Sequence, residues 1–213
     1  MISLFIDTST SNVSISVIKN GNILSLIQNE ISNMHSAYIT RFIKDALDES
    51  GNDANDVDNI MVVNGPGSFT GLRIGVTVAK TYGYLIDKGI TLVSSLQSLA
   101  ISSNYDGVVL SMIPANKSGY YVSVYDNEYN ALEESKYMSR DDIIKLCDKY
   151  NPYIVSIDNS VIGKYKIHKQ VVDVLRVVEY YKDKEKVNYH KVVPNYLKLP
   201  QALEAHKWLE KLI

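Results

Sequence analysis

Asp7-Thr8-Ser9-Thr10 directly follows the apolar run Ile2–Ile6, so a carboxylate stands at a strand end with three hydroxyl residues behind it. Such a turn can hold a magnesium-bound phosphate, with the carboxylate serving the metal and hydroxyls and amides serving the oxygens. It can equally be a plain strand-to-strand turn in which Asp7 and Thr8 satisfy nearby backbone donors. A second anion-shaped feature is Gly65-Pro66-Gly67-Ser68-Phe69-Thr70-Gly71-Leu72-Arg73-Ile74-Gly75. A strand, a glycine-rich turn and a helix start together present free amides to an anion. Neither standard phosphate pattern fits, however. No Gly-Lys pair follows at P-loop spacing, and the dinucleotide pattern begun by Gly65 and Gly67 meets Thr70 where it needs a third glycine. The other reading is a helix-capping turn at Gly65, Gly67, Ser68 and Thr70, with a hydroxyl of Ser68 or Thr70 as the cap.

Histidine and cysteine offer less. His35 has Tyr38 and Ile39 three and four residues on, where a metal site wants a second histidine, and His168, His190 and His206 show no ligand spacing. No metal and no cofactor is expected. Cys147, the single cysteine, lies at helical spacing from Ile143 and reads as a buried thiol rather than a nucleophile.

The elements that must position these residues follow from periodicity. Strands are predicted at 2–7, 13–19 and 22–30. Asn20-Gly21 between the last two makes a hairpin, since both residues accept positive φ. A helix over 34–50 carries Tyr38, Ile39, Phe42, Ile43, Ala46 and Leu47 on one stripe, and Gly51 ends it. A buried strand at 60–64 leads into the glycine-rich turn, a helix over 72–87 and a strand at 90–94. That second helix has an apolar arc too wide for one sheet, running from Ile74, Val78 and Leu85 round to Leu72, Gly75, Val76, Ala79, Gly83 and Ile86. Gly75, Ala79 and Gly83 recur at i, i+4, i+8, a small-residue seam that either the first helix or another protein's helix can fill. The wide arc favours the other protein. A second lobe is predicted from about residue 104, with strands at 108–113, 120–125 and 153–157 and a helix at 140–149. A helix at 170–181 follows. The pattern is α/β, with no internal repeat at 20–50 residues.

Composition narrows the class. The 213 residues, 46% hydrophobic and 22% charged, suffice for one large domain or two lobes with a real core. No apolar run is long enough to cross a membrane, and the chain starts on a strand pattern rather than a signal peptide, so a cytoplasmic location is expected. The formal charge is −2, but residues 164–213 hold 11 Lys/Arg against 6 Asp/Glu. A protein that grips nucleic acid alone usually has a strong basic footprint, and here only the tail is basic.

These residues carry a resemblance. Ile6-Asp7-Thr8-Ser9, His35-Ser36, the Gly65–Gly75 block and Ser95-Leu96 stand in the order and spacing of the TsaB (YeaZ) family, densely over about residues 2–100. Pro194-Asn195-Tyr196-Leu197-Lys198 is similar to that family's tail. The second lobe departs from it, with Pro114-Ala115-Asn116 in place of an Asp-Ala-Arg triplet and Ile157-Asp158-Asn159-Ser160 in place of a Gly-Asp-Gly-like turn.

The resemblance implies an actin-like ATPase (ribonuclease-H-like) fold of two lobes, the second reduced. It places residues 1–103 in the first lobe, with 168–213 packing back on it, and 104–167 in the second. It also implies a non-catalytic subunit in tRNA threonylcarbamoyladenosine (t6A) biosynthesis, in which Asp7, Thr8, Ser9 and Thr10 are a remnant phosphate loop. Its expected partners are a TsaD-like threonylcarbamoyltransferase subunit and a TsaE-like ATPase subunit, with tRNA contacted indirectly or weakly. The expected partner interface is His35, Ile39, Phe42, Ile43, Ala46, Leu72, Gly75, Val76, Ala79, Tyr82, Gly83 and Ile86, through which a homodimer could also form. The competing reading is an independent actin-type ATPase or kinase with Asp7 as magnesium ligand. A zinc glycoprotease fails for want of a histidine pair.

Overall fold

The computed structural model describes residues 1–30, 36–115, 119–159 and 161–197. The first sheet opens with a meander of β1 (Ile2–Asp7), β2 (Asn12–Lys19) and β3 (Asn22–Glu30). Asn20 and Gly21 both take positive φ (49° and 78°), the conformation the tight β2–β3 turn requires. After α1 (Ser36–Ser50), β4 (Asn59–Gly65) lies parallel to β1; after α2 (Phe69–Leu85), β5 (Ile90–Ser94) lies parallel to β4. Leu4, Ile6, Ile15 and Ile60 on one face meet Ile39 and Ile43 of α1 and Val76 and Ala79 of α2. Burying each of these Leu or Ile side chains is worth roughly 1.5–3 kcal/mol.

α3 (Ser95–Ser103) leads to the second sheet: β6 (Val109–Ala115), β7 (Gly119–Tyr125), β8 (Ala131–Met138), α4 (Arg140–Tyr150), β9 (Tyr153–Ser156) and β10 (Ile167–Lys169). The chain then returns through α5 (Val174–Tyr181) to β11 (Lys186–Val187), which pairs with β5. The sheet orders are β11-β5-β4-β1-β2-β3 and β10-β9-β6-β7-β8. Read from the meander, the second sheet repeats the first: 8-7-6-9-10 matches 3-2-1-4-5, and α4 stands where α1 stands. It is reduced in one place, since a short connection replaces a helix between β9 and β10.

The sequence reading needs correction at four elements. α3, β8 and β10 were not anticipated. α3 lacks an amphipathic stripe because seven of its nine residues are buried. β8 carries Glu133, Glu134 and Lys136 in a largely exposed edge strand, which hides a strand's alternation. The helix expected from residue 170 starts at Val174, because the Asp173 side chain accepts from the Arg176 amide as its N-cap.

Candidate functional site

The β1–β2 turn presses into the start of α2. The Ser68 amide donates to the Ser9 carbonyl at 2.7 Å, and the Thr8 hydroxyl donates to the Gly71 carbonyl at 2.8 Å. A Cβ on Gly67, Gly71 or Gly75 would collide with Ser9 or Thr8 atoms. These glycines therefore admit the chain's own turn to the helix. Ser68 is the N-cap, its hydroxyl accepting from the Gly71 amide at 3.2 Å, while Thr70 stands exposed in the first turn. The amides that an anion would seek are thus partly engaged by Ser9 and Ser68.

Asp7 points the other way, into a cavity between the two sheets. The carboxylate accepts from the Ser9 amide at 2.8 Å. Burial pushes its pKa above the ordinary 3.8, and the Ser9 hydrogen bonds offset only part of that. The cavity measures about 70 Å³ and is bordered by Asp7, Ser9, Gln28, Ser95, Lys169 and Gln170. Ligand pockets run to roughly 300–1,000 Å³, so this cavity is several-fold smaller than those. Of the expected phosphate-loop residues, Asp7, Ser9 and Thr10 line the cavity, while the Thr8 side chain turns to α2. Gln28, Lys169 and Gln170 were missed, since pairing across lobes leaves no local sequence signal. Among the described residues, no group of three or more His, Cys, Asp or Glu could hold a metal.

The small-residue seam needs a larger correction. Gly75 abuts the Thr8 side chain, Ala79 is fully buried, and Gly83 abuts the Lys88 carbonyl, Tyr189 and Ile90. The seam faces the sheet and the C-terminal segment, so a partner helix has no access to it. Ile39, Ile43, Ala46, Leu72 and Val76 are likewise buried in this chain's own core and cannot be contact residues. Phe42, Tyr82 and Ile86 are half-buried and keep some surface. His35 lies outside the described residues. Among the residues the two helices present outward are Tyr38 and Arg41 on α1 and Arg73, Thr77, Thr81, Tyr84 and Leu85 on α2, with Leu85 69% exposed. The apolar arc includes Leu85, but Leu85 is the last residue of α2 and lies outside the core.

The C-terminal segment anchors on α2. Asn195 donates its amide to the Asn64 carbonyl at 2.7 Å, and the Tyr196 hydroxyl accepts from Arg73 Nε at 3.0 Å. The Tyr196 and Phe69 rings lie 5.0 Å apart, and Arg73 covers the Phe69 ring at 4.0 Å. Lys198 of the same tail motif, and Asn116 and Ser160 of the second-lobe departures, lie outside the described residues.

Known proteins place this arrangement. The family model for TsaD, tRNA N6-adenosine threonylcarbamoyltransferase, matches residues 27–158. The tRNA threonylcarbamoyladenosine biosynthesis protein TsaB of Bacillus subtilis (strain 168) is 30% identical across 97% of each chain. The chain belongs to the TsaB (YeaZ) family. Escherichia coli (strain K12) TsaB is 28% identical over 66% of this chain and 63% of its own. The tRNA N6-adenosine threonylcarbamoyltransferase of Staphylococcus haemolyticus is 37% identical, over 40% of this chain and 30% of its own. YeaZ from Pseudomonas aeruginosa aligns with a TM-score of 0.78 at 20% identity, covering 92% of this chain and 99% of that one. The TsaB fold, two lobes of the actin-like ATPase class, is therefore the fold of this chain. No helix among the described residues is long and apolar enough to cross a membrane.

Proposed function

We propose that this chain serves tRNA threonylcarbamoyladenosine biosynthesis as a non-catalytic scaffold that binds a TsaD-like threonylcarbamoyltransferase subunit. The observation that carries the non-catalytic part is the plugged phosphate corner. Ser9 and Ser68 occupy amides at the α2 start, and the cavity at Asp7 is about 70 Å³. Transfer from a threonylcarbamoyl adenylate to the N6 of adenosine needs an open nucleotide site, which the partner supplies. The docking surface is the outward side of α1 and α2, around Tyr38, Phe42, Thr77, Thr81, Tyr84 and Leu85. Exposed tyrosines of this kind supply the anchors of protein interfaces. A TsaE-like ATPase subunit joins the same complex, and tRNA reaches this chain only weakly, consistent with its balanced charge.

Reconstitution tests this. The chain alone should transfer nothing to tRNA and hydrolyse no ATP with magnesium. It should co-purify with the transferase subunit and be required for transfer by the assembled complex. Transfer by the isolated chain would overturn the non-catalytic reading. Full activity of the transferase without it would overturn the scaffold reading.

A further inference from the structure

Three rings in the second lobe lie flat on one another. Tyr105 and Tyr153 stack with centroids 4.4 Å apart and planes 10° apart, and Tyr153 and His168 stack at 4.2 Å and 21°. Other tyrosine pairs of this chain meet edge-on, Tyr129 with Tyr180 at 85° and Tyr180 with Tyr181 at 72°. Two flat rings this close have no room on one face of a tyrosine, so Tyr153 lies between the other two. The column crosses one end of the second sheet. Tyr105 precedes β6, Tyr153 opens the adjacent β9, and His168 is the middle residue of β10, the last strand on that side. Gly107 makes room for the first ring, since a Cβ there would stand 2.9 Å from Tyr105 Cε1.

The polar ends of this column are unused within the chain. Among the described residues, the Tyr105 and Tyr153 hydroxyls and the His168 ring nitrogens make no hydrogen bond to protein, and none is a buried orphan, so they face water. The edge on which the column ends is basic. Lys164-Tyr165-Lys166-Ile167-His168-Lys169 carries three lysines and no acid. Lys164 leans toward Asp148 at 4.0 Å, whereas Lys166 and Lys169 make no ion pair among the described residues. Asp106, the acid next to the column in sequence, stands at the Tyr105 end. A flat ring face with uncommitted cations beside it suits single-stranded nucleic acid, whose bases stack on aromatic rings while its phosphates rest on lysines. A duplex keeps its base faces inside its own stack and cannot use such a site.

We propose that the Tyr105–Tyr153–His168 column is a stacking platform for an unpaired base of RNA. The base adds a fourth ring on the outer face of His168, and Lys166 and Lys169 take the flanking phosphates. The choice of RNA as guest rests on the proposed service to tRNA modification. The site is the place of the weak tRNA contact that a balanced charge leaves to this chain, and it is separate from the outward side of α1 and α2.

The test is fluorescence anisotropy of the full chain at low salt, with a labelled single-stranded oligoribonucleotide and with an RNA duplex of the same length. The single strand should bind more tightly than the duplex. His168→Leu keeps bulk but removes the flat ring, and should weaken single-strand binding roughly five- to a hundredfold, the range for one lost stacked base. His168→Tyr, which keeps a ring, should bind as wild type does. Lys166→Ala should lower the slope of log affinity against log salt by about 0.7, the share of one phosphate contact on a single strand. Melting curves check each variant's folding; should His168→Leu melt early, the strand-over-duplex preference and the Lys166→Ala slope still decide. No saturable binding of the single strand, equal binding of strand and duplex, or a folded His168→Leu that binds as wild type does would overturn the proposal. Loss of transferase capture by His168→Leu with RNA binding unmoved would also overturn it, by giving the column to a protein. Base stacking that persists in a chain unable to capture the transferase would support the platform and sink the scaffold reading alone.

Discussion

Thr8 and Gly71 grip each other across the junction of β1 and α2. The Thr8 hydroxyl donates to the Gly71 carbonyl at 2.8 Å, while the Thr8 carbonyl occupies the space a Cβ on Gly71 would need. A methyl group therefore has to push apart two backbone segments rather than a flexible side chain. Gly71→Ala is expected to lower unfolding free energy by about 1–3 kcal/mol, the usual cost of overpacking. Urea denaturation read by circular dichroism checks this, and an unchanged midpoint would show that the turn can retreat.

Ala79 and Leu85 differ sharply in burial on the same helix, one fully buried and the other 69% exposed. Ala79→Leu should lower the unfolding temperature of the isolated chain, again by about 1–3 kcal/mol of stability. Leu85→Arg should leave that temperature within about 0.5 kcal/mol of wild type, as surface changes do, and weaken capture of the transferase subunit. Melting curves and a pull-down on both variants decide it. The reverse outcome would return the seam to the interface.

Asp7 gives a pH signature. Its pKa is raised by burial, so its contribution to stability is complete below the ordinary 3.8 and is lost as pH rises through the raised value. At neutral pH the buried carboxylate is a burden. Asp7→Asn keeps an oxygen to accept from the Ser9 amide, so the variant should melt higher than wild type at pH 7, and the gap should close below the ordinary carboxylate range. Scanning calorimetry across pH measures the difference. A variant less stable at pH 7 would mean that the ionised form has a partner in solution.

Tyr196 ties the tail to α2 through Arg73 and the Phe69 ring. Tyr196→Ala should cost about 0.5–1.5 kcal/mol, the range for an aromatic pair. It should also speed amide exchange over residues 189–197. Exchange mass spectrometry that finds the segment equally protected would place its anchor in the Asn195–Asn64 hydrogen bond instead.

Much of the first sheet was legible because its signals are local. The Asn20-Gly21 turn, the alternation of β2 and the Gly51 helix stop each need only neighbours in sequence. What the sequence concealed was set by distant contacts. A small-residue stripe at Gly75, Ala79 and Gly83 says that something approaches closely, not what approaches, and here it is Thr8, the sheet and Tyr189. The repeated topology went unseen because its period exceeds a hundred residues and the two copies share strand order without sharing motifs. The outward position of Leu85 comes with its place as the last residue of α2, and the helix periodicity that groups it with Ile74 and Val78 does not report where the helix ends.

α3 belongs to both halves at once. Leu96, Leu99 and Ala100 pack with Val109 and Val155 of the second sheet, while Ile101 packs with Phe5 and Met61 of the first. Its serines add no demand for water: Ser98 and Ser102 donate to the Ser94 and Ser98 carbonyls one turn back, at 2.8 and 2.6 Å. Swinging the halves apart would strip apolar cover from one of them, so this helix works as a rivet rather than a hinge. Because α3 packs with both sheets, a fragment ending before or after it would leave one sheet without its lining.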